Sequence, residues 1–206
     1  MKKRVWVSRL VVVLFFSFIW QGTGHAQGLK KILSIEAFDM LNTVPDTYLI
    51  DVRTRAEYQF IGHPIGAYLF PYMFMTHDLQ NKNGLYAYRY DTVNFEFIKE
   101  ISKAFQKANN LIIISRDGTR SALASKALVD DGFKHVYDVT DGFEGAPFPC
   151  FEDSNKDKFY RQLARRNKIY GFNLRRHYGW QWWGLPWHYD MDPKCIYPPD
   201  LASSEK

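Results

Sequence analysis

The stretch Leu111-Ile112-Ile113-Ile114-Ser115-Arg116-Asp117-Gly118-Thr119-Arg120-Ser121 decides how this chain is read. Its apolar, largely β-branched opening is the composition of a strand buried on both faces. At Thr119 the spacing becomes helical, so the first turn directs a row of backbone N–H groups over the intervening loop. Such a place holds an anion. The N–H groups from Arg116 through Asp117, Gly118 and Thr119 to Arg120 should converge on one point, and Gly118 permits the tight curvature. The guanidinium groups of Arg116 and Arg120 add cationic forks suited to a tetrahedral oxyanion. A second reading of Arg120, in which it pairs with an acid such as Asp51 or Glu57, stays open.

Around this loop the chain alternates short strands and helices. Ser34 is placed as the N-cap of a helix from Ile35 to Leu41, whose apolar residues repeat at helical spacing. Residues 47–52 read as a buried strand, 56–60 as a short helix and Ala67 to Phe70 as another strand. Residues 71–90 read as a polar and aromatic loop, either a lid or a surface connection. Thr92 to Ala108 is an amphipathic helix. Thr119 to Asp131 follows the loop as a helix with Ala122, Leu123, Ala127 and Leu128 inward and Gly132 at its left-handed stop. Strand 135–139 completes a mostly parallel sheet.

This loop, together with Tyr48-Leu49-Ile50-Asp51-Val52-Arg53, Glu57-Tyr58, Gly62-His63-Pro64-Ile65-Gly66-Ala67, Asp141-Gly142-Phe143, Gly179-Trp180 and Gly184-Leu185-Pro186-Trp187, resembles the rhodanese (thiosulfate sulfurtransferase) family. The resemblance spans about residues 32–187. It implies an α/β fold with a mostly parallel central sheet, helices on both faces and a C-terminal insert. In that family a cysteine opens the active loop, attacks a sulfane sulfur and carries it as a persulfide. Here Ser115 occupies that position, with Asp51, Arg53 and His63 as supporting residues. A thiol beside arginines at a helix start ionises near neutral pH, whereas a hydroxyl needs a base. His63 is the one such base the resemblance places nearby. Ser115 is flanked by Ile114 and Arg116, unlike the nucleophile elbow of hydrolases. Phosphatase relatives of the fold have a longer loop that also starts with cysteine. Pro64-Ile65 inverts the order usual among relatives, which shifts the bend there.

Met1 to Ala26 carries a basic head (Lys2, Lys3, Arg4, Arg9), an apolar run from Leu10 to Trp20 and a small-residue end. That is the form of a secretory signal cleaved after Ala26, and it points to a periplasmic or secreted protein. The run is 11 residues long, against the ~20 a membrane-spanning helix needs. The leader holds four of the 27 Lys and Arg residues and none of the 22 Asp and Glu residues, so the remainder is nearly neutral. Export and this balance exclude nucleic acid as a partner. Residues 27–31 are read as a linker, 32–187 as the domain with inserts at about 71–90 and 146–178, and 188–206 as a tail. In an oxidising compartment Cys150 and Cys195 suggest a disulfide closing the insert, which would stabilise the fold by about 4 kcal/mol in a chain-entropy model. Two unpaired thiols are the alternative.

Within the second insert, Ser154 is placed as the cap of a helix from Asn155 to Tyr170, with Phe159, Leu163 and Ile169 loosely on one side. Its basic face suits an acidic protein partner or peripheral contact with an anionic membrane, or simply solvation. Trp182, Trp183 and Trp187 read as core plugs. His188, Asp190, Asp192 and Cys195 match no established metal-ligand spacing, and no metal or other cofactor is implied. The sequence thus describes an exported rhodanese-like protein without sulfurtransferase activity that binds a sulfur oxyanion or a protein partner at the loop. The alternative is an active sulfurtransferase that carries sulfur on Cys150 or Cys195.

Overall fold

The computed structural model describes residues 29–82, 85–89, 91–147, 151–169 and 176–197. The leader Met1–Ala26, Cys150 and the chain after residue 197 lie outside the described residues. Five strands form the central sheet: β1 (Lys30–Ile32), β2 (Thr47–Asp51), β3 (Tyr68–Leu69), β4 (Asn110–Ile114) and β5 (His135–Val139). They are all parallel, in the order β1-β5-β4-β2-β3. β4 is central and Leu111, Ile112, Ile113 and Ile114 are completely buried. Each such side chain stabilises the fold by about 1.5–3 kcal/mol relative to exposure.

Side chains alternate across the sheet and build two cores. Leu49, Ile112 and Ile114 face one side, with Ala37 of helix α1 (Ser34–Thr43), Tyr58 of helix α2 (Arg55–Phe60), Phe143, Trp180 and Leu185. Ile50, Leu111, Ile113 and Val136 face the other, with Phe97 and Ile101 of helix α3 (Phe97–Ala104) and Ala124 and Leu128 of helix α4 (Thr119–Asp130). Helices therefore cover both faces, as a fully parallel sheet requires. Among the described residues no helix is long and apolar enough to cross a membrane.

Several local expectations are corrected. Ser34 is not the cap of α1: Leu33 precedes the helix and its N–H donates to Glu36 Oε2 at 2.7 Å. Ser34 is buried and ties α1 to Asp141 instead. The expected loop 71–90 is largely antiparallel ribbon, Met73–Phe74 pairing with Thr92–Val93 and Leu79–Lys82 with Leu85–Tyr88. α3 starts at Phe97 because Thr92–Val93 belongs to that ribbon. α4 turns Ser121, Ala124, Ser125 and Leu128 inward while Leu123 is 47% exposed. The fifth helix, α5 (Ser154–Arg166), is capped by Asp153, whose carboxylate accepts from Asn155 N–H at 2.8 Å.

The domain also reaches further than expected at both ends. Lys30–Ile32, in part of the presumed linker, pairs with β5. In the presumed tail, Trp187–His188 pairs with His63–Pro64, Ile196 bridges Leu69, and Tyr197 stacks on Phe70 with ring centroids 5.3 Å apart.

Candidate active loop

Residues 115–118 join the C-terminal end of β4 to α4. Two backbone hydrogen bonds and a left-handed glycine shape this crossing. Phe143 N–H donates to Ser115 O at 2.8 Å, and Glu144 N–H donates to Arg116 O at 2.9 Å. Gly118 opens α4 with φ +85° and has no side chain to cap the helix. A left-handed residue turns the chain sharply, which leaves the first helical turn facing the loop.

Ser115 is completely buried. Its hydroxyl donates to Ser121 Oγ at 3.3 Å, and Ser121 Oγ donates to Gly118 O at 3.0 Å. His63 is not its partner. The ring nitrogens of His63 sit 3.1 Å from Tyr58 O and 3.1 Å from Asp190 O, and the ring stacks on Tyr58 at 3.6 Å. Burial lowers its pKa, and the neighbouring His188 adds to that effect, against the two carbonyl contacts and Asp51. The structure thus assigns His63 to packing beneath residues 187–190.

The loop residues divide their roles. Asp117 turns its own carboxylate onto the loop, accepting from Thr119 N–H at 3.3 Å and facing Arg116 Nη2 at 3.5 Å. Arg120 does not present its fork to the loop in the way one sequence reading held; it pairs with Glu57, Nη1 to Oε2 at 2.8 Å and Nη2 to Oε1 at 2.5 Å. The Glu57 carboxyl is pulled from 4.5 to about 2: burial opposes ionisation, but Arg120 and the Thr54 hydrogen bonds outweigh it. Of the two acids offered to Arg120, Asp51 is taken by Arg53. Arg53 Nε and Nη2 reach Asp51 at 2.7–3.1 Å, both side chains are fully buried, and Nη2 also donates to Gly62 O. The guanidinium lies 4.2 Å over the Phe143 ring.

Sequence reasoning missed the groups that brace the loop from outside it. Asp141 Oδ1 accepts from Ser34 N–H and Oγ–H, each at 2.8 Å, while Oδ2 accepts from Gly179 N–H and Trp183 Nε1–H. One carboxylate therefore joins α1, the turn after β5 and the C-terminal segment. Its place in the quoted Asp141-Gly142-Phe143 was the available signal. Of the three tryptophans read as core plugs, Trp187 packs partly buried against the core, but Trp182 is half exposed and Trp183 is 36% exposed; Trp180 fills the core instead.

The expected pairing of Cys150 with Cys195 involves Cys150, which lies outside the described residues. Cys195 is a free thiol whose Sγ contacts Asp192 at 3.9 Å, and its pKa is raised by burial and by that carboxylate. Asp192 itself caps the short 3-10 turn Pro193–Cys195.

The model of the rhodanese-like domain matches residues 35–146, more than half of the chain. The chain belongs to the rhodanese-like domain family. An uncharacterised protein of Rickettsia rickettsii is 30% identical over 65% of this chain and 93% of its own length. The chloroplastic thiosulfate sulfurtransferase 16 of Arabidopsis thaliana is 31% identical over 46% of this chain and 68% of its own length. Among solved structures, that of Rv0390 from M. tuberculosis superposes with a TM-score of 0.51 at 24% identity, over 78% of this chain and 98% of that one. The family match covers β2 to β5 and the loop, and the likeness to Rv0390 supports the fold.

Proposed function

We propose that this rhodanese-like domain binds a small sulfur oxyanion at residues 115–120 and does not transfer sulfur, acting after export in the periplasm or outside the cell. The observation that carries this reading is a helix start at Gly118 without a side-chain cap beside a fully buried hydroxyl, Ser115, at the position where the resemblance implies a thiolate. A serine oxygen cannot form a persulfide. Among the described residues no base contacts the Ser115 hydroxyl directly: it is engaged with Ser121, and both nitrogens of His63 face backbone carbonyls. Cys195 is a poor substitute, because burial and Asp192 disfavour its thiolate.

In this reading Arg116 supplies the cationic fork, the first turn of α4 supplies N–H donors, and the Arg120–Glu57 pair fixes the helix start. Two measurements test it. Purified protein should show no cyanide-dependent thiosulfate sulfurtransferase turnover, while Ser115→Cys should gain it; wild-type turnover abolished by Ser115→Ala would overturn the assignment. Arg116→Ala should weaken thiosulfate binding by about 1.5–3 kcal/mol, the scale of a hydrogen bond to a charged group.

A further inference from the structure

Three glycines bring a second wall up to the loop. A Cβ on Gly118 would lie 2.2 Å from Thr140 O, one on Gly142 2.6 Å from Arg116 O, and one on Gly145 2.0 Å from Tyr178 O. The active loop, the turn 140–145 and the segment 176–179 therefore meet backbone to backbone. Arg176 pairs with Pro147 in a short antiparallel ladder, which sets it next to the turn 140–145.

Glu144 sits at this junction. Its N–H is held by Arg116 O at 2.9 Å and its side chain is partly buried. The charges acting on it come from Arg116 of the loop, Arg176 of the C-terminal segment, Arg53 after β2 and Glu57 of α2. Burial raises its pKa and the three guanidinium groups only partly offset this. Among the described residues Glu144 forms no ion pair. Each of the three arginines keeps a buried nitrogen without a hydrogen-bond partner: Arg53 Nη1, Arg116 Nε and Arg176 Nη1. The Arg53 side chain is fully buried. Unsatisfied buried donors are costly, and charged ones more so. Three of them, on the arginines whose charges act on one carboxyl, point to a ligand that accepts hydrogen bonds.

We propose that Arg176 and Glu144, both outside the loop, complete the oxyanion seat: Arg176 as a second guanidinium on the anion, and Glu144 as a carboxyl that takes a proton from solvent on binding and donates it to an anion oxygen. This rests on the reading of the loop as an anion seat. An ionised Glu144 would repel a dianion; protonation removes the repulsion and adds a donor. No covalent bond forms or breaks, and the proton returns to solvent on release. The ligand class is a small divalent sulfur oxyanion, with thiosulfate as the probe because its charge does not change over the range used.

The experiment is calorimetric titration of thiosulfate into the purified protein between about pH 5 and pH 8, in buffers of different ionisation heat, which reports proton uptake on binding. Wild type should bind more tightly as pH falls, with net proton uptake. Arg176→Gln should weaken binding roughly tenfold, as loss of a charge-assisted contact does, while Arg165→Gln on α5 removes the same charge with no change. Glu144→Gln should bind without proton uptake and with flat pH dependence. If Arg176→Gln binds as wild type does, Arg176 is outside the seat and the proposal falls while the loop reading stands. If Glu144→Gln still takes up a proton, another group is the source and the role given to Glu144 falls. A folded wild type that binds no thiosulfate overturns the loop reading itself.

Discussion

Helices α4 and α5 have similar lengths and opposite lives. α4 starts at a left-handed glycine with no side-chain cap, yet it buries Arg120, Ser121, Ala124, Ser125 and Leu128 against the sheet. α5 has a capping aspartate, an Asp157–Arg161 pair at 2.6 Å and two arginines in its last turn, yet it buries only Ala164 and leaves Phe159 57% exposed. Tertiary packing holds the first helix and local interactions hold the second. The helix that packs well can leave N-terminal donors beyond Thr119 N–H, which Asp117 accepts, open for a ligand. The self-capped helix has no such end to offer.

The largest test of this contrast is Gly118→Val. The position needs φ +85° and has Thr140 O 2.2 Å from an added Cβ, so the variant should lose about 4 kcal/mol and unfold early in denaturant. Leu128→Ala, which empties a fully buried site on α4, should cost about 3 kcal/mol by the same measurement. Glu57→Gln attacks the pair that anchors the start of α4. The Glu57 carboxyl titrates at about 2 in the fold against 4.5 ordinarily, so its stabilisation is complete above about pH 4.5 and is lost as pH falls toward 2. The variant should lose about 2–3 kcal/mol near neutral pH and show a flatter stability curve across that acid range. Phe159→Ser on α5 should change stability by less than about 0.5 kcal/mol. A cost as large as that of Leu128→Ala would mean that α5 packs as α4 does and would erase the contrast.

The sheet was legible because its signal is local: four consecutive apolar residues in β4 and the alternating runs around it need little context. The loop was legible too, since Gly118 and the change to helical spacing sit within a few residues. What failed depended on partners distant in sequence. Ser34 has the chemistry of a cap, but Asp141, more than a hundred residues away, takes its hydroxyl. Ser121 and Ser125 broke the apolar pattern of α4, so the inward face was assigned to Leu123 when the buried face is partly polar. Arg120 could not be divided between Asp51 and Glu57 without knowing that Arg53 fills Asp51. The ribbon at 73–93 was the avoidable miss: Asn83-Gly84 between two short runs is a strong hairpin signal. Arg176 and Glu144 lay beyond reach, because only backbone contact through Gly145 sets them beside the loop.

The junction of Ile196 and Tyr197 with Leu69 has a consequence for handling the protein. β3 is the outermost strand on its side, and Tyr197 N–H donates to Leu69 O at 2.8 Å while its ring covers Phe70. Proteolytic clipping before Ile196 would bare backbone groups that invite pairing with another molecule, so truncated preparations should self-associate more than the intact chain.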